Sequence, residues 1–340
     1  MLGESLEWPV ACDLRLLQPD LWLGELAMAL EIVALGEALV EIMRPTRDLP
    51  LDEPGPFVGP FPSGAPAIFA DAAARLGARV GFIGVVGEDD FGRCLQRRLL
   101  ADGLDLTHLR VTAERPTGCA FVAYFADGSR RFLFHLRHSA AGMLGPDDVQ
   151  PEYVQGVRVL HVMGSALALS ESSCAACYKA AELAADSGAL VSFDPNLRPE
   201  LLGVERVRML CAPILELADI VLPSGPEARM LTGAEDDEKA ARQLAAGKRV
   251  VALKQGSRGS TVFTGEAELY VPALSVEEVD PTGAGDCYDA AFLVGLLKGW
   301  PLEKCARFAN AVGALAVTAL GPMEGAPSYE SALAFAGLAE

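Results

Sequence analysis

Short aliphatic and β-branched runs alternate along the chain with longer stretches whose apolar residues recur every three or four positions. Residues 31–42 predict a strand, a turn at Gly36 and a second strand, and residues 158–163, 189–193, 219–222 and 250–253 are further strand-like runs separated by helical segments. Strands without a polar face, joined through helices, imply a parallel sheet covered on both sides. Residues 63–87 predict a helix, a glycine stop and a strand, and residues 88–104 a helix packed after it. Residues 117–136 alternate apolar and polar across Asp127-Gly128, which predicts a hairpin. The Pro and Gly density of residues 49–62 predicts a loop or small irregular excursion. Residues 279–297 run from a glycine-rich turn into a helix, with Cys287, Ala290, Ala291, Val294 and Leu297 on one side and Asp289 and Lys298 on the other. The fold class is therefore α/β.

Composition narrows the function. The 340 residues, 51% of them hydrophobic, suffice for one large α/β domain or two smaller ones with a substantial core. Lys and Arg number 28 against 46 Asp and Glu, a formal charge of −18, which argues against general nucleic-acid binding or attachment to anionic lipid and favours a small-molecule partner. No run of about 18 apolar residues and no basic-then-hydrophobic leader is present, so a cytoplasmic protein is expected. The eight cysteines are scattered through apolar segments, and Cys174 and Cys177 lack the further ligands that a zinc site needs, so core packing is expected of them. No HExxH or HxxxH spacing supports a metallohydrolase. Residues 1–27 hold five acids and one base without clean periodicity, and read as an extension before a natural start at Met28 or as a segment folded onto the surface or a partner.

The chemistry concentrates in the turn before the last strongly apolar helix. Gly283, Ala284 and Gly285 carry little side chain, so their amides can approach an anion at the positive end of the helix dipole. Asp286 follows in the first helical turn, where a carboxylate suits proton removal from an attacking hydroxyl. Cradle plus base reads as phosphoryl transfer; a glycine turn capping a core helix, with Asp286 as a first-turn carboxylate, is the plainer alternative. No GxxxxGK[ST] and no GxGxxG after the first strand is present, so neither a P-loop kinase nor a dinucleotide fold is supported.

Asp280 to Asp286, DPTGAGD, resembles the D-T-T-G-A-G-D signature of the ribokinase-like (PfkB) family of carbohydrate kinases. Four further stretches resemble that family in its order: GEALVE (36–41), SGAPAI (63–68), DPNLR (194–198) and KQGSRG (254–259). The resemblance covers residues 31–340 and implies a ribokinase-like fold, with a mostly parallel central sheet, helices on both faces and a small β-sheet lid from residues 38–61 and 117–136. A kinase domain over 28–340 follows. It implies ATP and Mg2+ as cofactors, leaves a monovalent cation open, and implies a homodimer through the lid.

Residue by residue, the resemblance gives the anion hole to Gly283, Ala284 and Gly285 and the base to Asp286. It gives sugar contacts to Glu41 and Gly64, with an edge-strand carboxylate as the plainer alternative for Glu41, while Ile68 stands where the family has a sugar-binding Asn; helix spacing puts Asp71 on the same face, as a substitute acceptor or a surface-facing helical Asp. Arg137, leaving the lid, could pair with a carboxylate or bridge sugar hydroxyls, and Arg198 could neutralise phosphate charge; a solvated loop charge and an Asp–Arg brace are the respective alternatives. Glu227 occupies the metal-associated position of the family's N-x-x-E motif, with Ser224 in place of its Asn. Lys254, Gly256, Gly259 and Asn310 fall at nucleotide-binding positions. The function implied is ATP-dependent transfer to a primary hydroxyl of a six-carbon ketose or keto sugar acid, of tagatose, 2-keto-3-deoxygluconate or fructose type. A non-catalytic sugar-binding regulator on the same fold, or a kinase for a nucleoside or sugar phosphate, are the alternatives.

Overall fold

The computed structural model describes residues 29–197, 203–265 and 267–339. The extension over residues 1–27, its boundary at Met28, and Arg198 lie outside them.

The first half of the chain interleaves two sheets. Strands β1 (Ile32–Leu35), β2 (Leu39–Met43) and β3 (Val58–Ser63) precede helix α1 (Ala65–Arg75), β4 (Val80–Gly87), α2 (Asp90–Ala101), β5 (Leu109–Thr112), β6 (Gly118–Tyr124) and β7 (Arg130–His135). The second half is regular strand–helix alternation: α3 (Pro151–Val154), β8 (Val159–Met163), α4 (Gly164–Leu169), α5 (Glu171–Asp186), β9 (Leu190–Asp194), α6 (Val204–Leu217), β10 (Ile220–Val221), α7 (Gly225–Thr232), α8 (Asp237–Ala245) and β11 (Val250–Lys254). An antiparallel pair, β12 (Gly259–Phe263) and β13 (Glu268–Pro272), then leads to α9 (Ala284–Leu297), α10 (Leu302–Ala316) and α11 (Tyr329–Ala336).

The large sheet runs β13-β12-β11-β10-β9-β8-β1-β4-β5, parallel except at β11-β12 and β12-β13. Its central strands, β1, β4 and β8 among them, are buried on both faces because helices cover both. Ile32 and Ala34 of β1 face the core beneath α1, α9 and α10, while Val33 and Leu35 face the one beneath α5 and α6. The period of two thus divides one run between two cores. The small sheet is β3-β2-β6-β7, with β2 and β6 parallel and both outer pairs antiparallel. Strands β2, β6 and β7 fall within the two segments expected to form a lid, and β3 runs two residues past the end of the first.

Two expectations need correction. Residues 58–63 are strand β3 rather than part of a loop; Pro60 and Pro62 are accommodated because β3 is an edge, where a missing amide breaks no ladder. Asp289 is fully buried rather than on a solvent side. Helix α9 is buried along nearly its whole length, so the apolar stripe in its sequence marks no single inner face.

Candidate active site

The carboxyl ends of the parallel strands, the N-terminus of α9 and the inner face of the small sheet enclose a cavity of about 450 Å³. This is where an open α/β sheet places its ligands, because the loops leaving the strand ends diverge there. Gly283 caps α9 with φ 83° and ψ −6°, a left-handed conformation that suits glycine. A Cβ at Gly283 would run into the Pro322 carbonyl oxygen, and Ile68 Cγ2 would lie 3.2 Å from it. Gly283, Gly285 and Asp286 line the cavity, and Ala284 is the first residue of the helix between them. The turn is held from behind by Asp280, fully buried, whose Oδ1 accepts from the Thr282 amide at 3.0 Å and whose Oδ2 accepts from the Gly321 amide at 3.0 Å.

Asp286 is 7% exposed and accepts at Oδ1 from Asn196 Nδ2 at 3.3 Å. Asn196 itself sits at φ 35° just past β9, so the backbone there holds a strained shape that points its amide at the carboxylate. One helical turn further, Asp289 receives the Lys254 ammonium at 2.9 and 3.0 Å, and the same ammonium reaches Asp194 at 3.1 Å. Lys254 ends β11, Asp194 ends β9, and Asp289 belongs to α9, so one cation joins the helix bearing the cradle to the sheet. A Cβ on Gly285 would stand 3.6 Å from Lys254 Nζ, which puts positive charge directly behind the cradle. Burial raises the Asp194 pKa, but the Lys254 ammonium overcomes it and holds the carboxyl below its ordinary range; at Asp289 burial prevails and the pKa rises well above it.

Across the cavity, Glu41 on β2 is buried and accepts from Ser63 Oγ at 2.6 Å. Glu37 is equally buried and also lines the cavity, and Gly64 is pressed against the Glu37 carbonyl, leaving no room for a side chain. Ile68 supplies an apolar patch of wall beside the glycine turn. Phe132, Phe134, Arg130 and Arg137 reach in from β7 and the segment after it. Glu227 and Ser224 lie on the floor: Oε2 of Glu227 accepts from the Ser224 amide at 2.8 Å and from its hydroxyl at 2.7 Å, while Oε1 accepts from the Leu197 amide at 2.9 Å. Among the described residues no group of three or more His, Cys, Asp or Glu side chains is arranged to hold a metal ion. A lone carboxylate beside a phosphate cradle still fits Mg2+, which keeps much of its water and takes phosphate oxygens as ligands.

A model of the pfkB family of carbohydrate kinases matches residues 29–328. The chain belongs to this family. Among its relatives, a probable fructokinase-3 of Arabidopsis thaliana is 35% identical over 314 residues, covering 89% of this chain and 90% of that protein. A putative ribokinase II from E. coli, solved in complex with ATP and Mg2+, superposes with a TM-score of 0.85 at 38% identity, covering 90% of this chain and 98% of that one. The fructokinase from Vibrio cholerae O395, solved with fructose, ADP and calcium, superposes at 0.78 with 30% identity, over 89% and 98% of the two chains. The ribokinase-like fold is thus shown, with its mostly parallel sheet and small separate sheet.

Of the site residues expected from the sequence of this pfkB-family kinase, the cavity gathers Asp286, Gly283, Gly285, Glu41, Gly64, Arg137, Ser224, Glu227, Lys254 and Gly256. Asp71 is the clear departure. It is fully buried away from the cavity and held by Arg98 at 3.1 Å on both oxygens; burial pushes its carboxyl up to about 7 against the pull of that guanidinium. It shares a helix with Ile68, but three residues turn it toward α2 instead of the cavity. Lys254 is an ion-pair centre more than an arm extended toward a nucleotide. Gly259 allows β12 to begin against the Val271 carbonyl, and Asn310 is 7% exposed and donates to the Val271 and Pro272 carbonyls at 3.0 and 3.3 Å; neither lines the cavity. Asn196, Asp289, Glu37 and Arg130 were not legible as site residues. Asn196 stood inside the DPNLR stretch and Glu37 inside GEALVE, so the motifs themselves were the available signal.

Proposed function

We propose that this kinase transfers the γ-phosphoryl group of Mg·ATP to a primary hydroxyl of a six-carbon ketose, with fructose the first substrate to test. The observation that carries this is Asp286: a carboxylate in the first turn of a helix whose capping glycines open onto the same cavity as Glu41. The names of the relatives favour fructose over tagatose and 2-keto-3-deoxygluconate. The buried carboxylates of Glu37 and Glu41 support a neutral polyol, since they accept hydroxyls and repel an acid group.

In this mechanism the sugar binds between Glu41 and Asp286 under the small sheet. Asp286 accepts the hydroxyl proton, with Asn196 fixing its orientation; the sugar oxygen bonds to phosphorus as the bond to the ADP oxygen breaks. The amides of the Gly283–Gly285 turn, backed by Lys254, stabilise the charge on the transferring oxygens. Glu227 would hold Mg2+ through water, and the ion supplies charge neutralisation on the phosphates. The small sheet excludes water.

ADP release is measured with Mg·ATP and fructose, tagatose, 2-keto-3-deoxygluconate or ribose. Fructose-dependent turnover, reduced at least about a thousandfold by Asp286→Asn, is expected. Binding of fructose without turnover would refute catalysis. Turnover with 2-keto-3-deoxygluconate alone would refute the neutral-ketose reading. Gel filtration checks the homodimer proposed through the small sheet.

A further inference from the structure

We infer that Tyr124 is a positioning residue that couples the small sheet to the phosphate cradle, so that a sugar held under the sheet completes the site that receives the γ-phosphate. The inference rests on the proposed sugar-kinase reading and names a residue that reading does not use.

Tyr124 is the last residue of β6, and its hydroxyl donates to Asp280 Oδ1 at 2.8 Å. That oxygen is the one that accepts from the Thr282 amide, immediately before Gly283. Asp280 is held on two other sides, since its other oxygen accepts from the Gly321 amide and its own amide donates to the Val317 carbonyl at 3.1 Å. The Tyr124 hydroxyl and the Thr282 amide therefore share one oxygen of a buried carboxylate. Burial first, and the adjacent Asp280 second, push the phenol well above its ordinary pKa, so it remains a donor throughout the neutral range.

A second tie runs in parallel. Arg130 opens β7 directly opposite Tyr124 in the β6-β7 register, and its guanidinium donates to Thr282 Oγ1 at 3.2 Å. Both members of the last rung of the hairpin thus reach the same loop. The same sheet presents Glu41, Phe132 and Phe134 to the cavity. A sugar that presses on those side chains acts on a hydrogen-bonded sheet whose far end holds Thr282, and the cradle amides begin at the next residue, Gly283. Interfaces of this kind convert a local contact into a change elsewhere because packed elements move as units.

The test replaces one hydroxyl: Tyr124→Phe keeps the ring. With fructose and Mg·ATP, kcat is expected to fall about tenfold to a hundredfold, the loss of a hydrogen bond to a charged group, while the KM for fructose stays within about twofold. The second readout is amide hydrogen exchange. In the wild type, fructose should slow exchange both in β6-β7 and in residues 282–286; in Tyr124→Phe the strands should respond and residues 282–286 should not. Cradle protection equal to wild type in the variant, or a kcat unchanged by it, would overturn the coupling. A wild type in which neither segment responds to any sugar would overturn the ketose reading and the coupling together, an outcome told apart by the missing response in the strands themselves.

Discussion

Replacing Lys254 by Met tests whether one buried cation sets the geometry of the site. Its ammonium holds Asp289 and Asp194 at 2.9–3.1 Å, with the Asp289 side chain fully buried, the Asp194 side chain 3% exposed and Lys254 itself 13% exposed. Methionine fills similar volume, so the packing term is small. What remains is two facing carboxylates without a counter-ion. Removing one partner of a buried pair costs about 3–5 kcal/mol, a large part of the roughly 5–15 kcal/mol that holds a domain folded. Protonation relieves this: with Lys254 gone, both carboxyls have folded pKa values above their unfolded ones, so stability rises as pH falls. The slope is at most about 1.4 kcal/mol per pH unit for each carboxylate. Urea unfolding followed by circular dichroism from pH 8 to pH 5 should therefore show a deficit that is largest at pH 8 and shrinks steadily. Asp289→Asn is the control, since it leaves one cation facing one anion, and should cost less than about 2 kcal/mol. A Lys254→Met deficit under about 1 kcal/mol, or one that does not vary with pH, would refute the assignment of Lys254 as the charge that stabilises this junction.

Asp71→Asn should lower stability by about 1–3 kcal/mol, because Arg98 keeps Asp102 and Glu324 but loses its buried partner, while the KM for sugar stays unchanged in the ADP-release assay. Asp89 caps α2 through the Gly92 amide at 2.8 Å and binds both the amide and hydroxyl of Thr117; partial burial opposes ionisation, but these donors overcome it and lower its pKa. Its contribution is therefore present above about pH 4 and lost as pH falls through the lowered value, so the unfolding free energies of wild type and Asp89→Asn in urea titrations, separated by about 1–2 kcal/mol at neutral pH, should converge in acid. Gly283→Ala forces a Cβ against the Pro322 carbonyl in a left-handed backbone, and should reduce kcat by at least about a hundredfold with secondary structure retained in circular dichroism.

Much of this protein was legible in its residues. The runs around 158–163, 189–193 and 250–253 gave β8, β9 and β11 because strands buried on both faces admit little but aliphatic residues. The hairpin over 117–136 followed from alternation across Asp127-Gly128, and the start of α9 from glycines that only a cradle or a cap requires. These features are local: they depend on a residue and its near neighbours in the chain.

The rest depended on partners distant in sequence. Asp71 and Asp289 are carboxylates on helices, and the chain alone offers each a solvent face; Arg98 at 27 residues' separation and Lys254 at 35 make their burial tolerable. Asn196 and Tyr124 acquire roles only because folding brings α9 against β9 and the tip of β6 against the loop before α9, across 90 and 156 residues. Sequence determined which elements form and which residue types sit at the strand ends; the tertiary structure decided which charges are neutralised, and therefore which line the cavity and which only hold the frame, because burying a charge is settled by the whole set of groups around it.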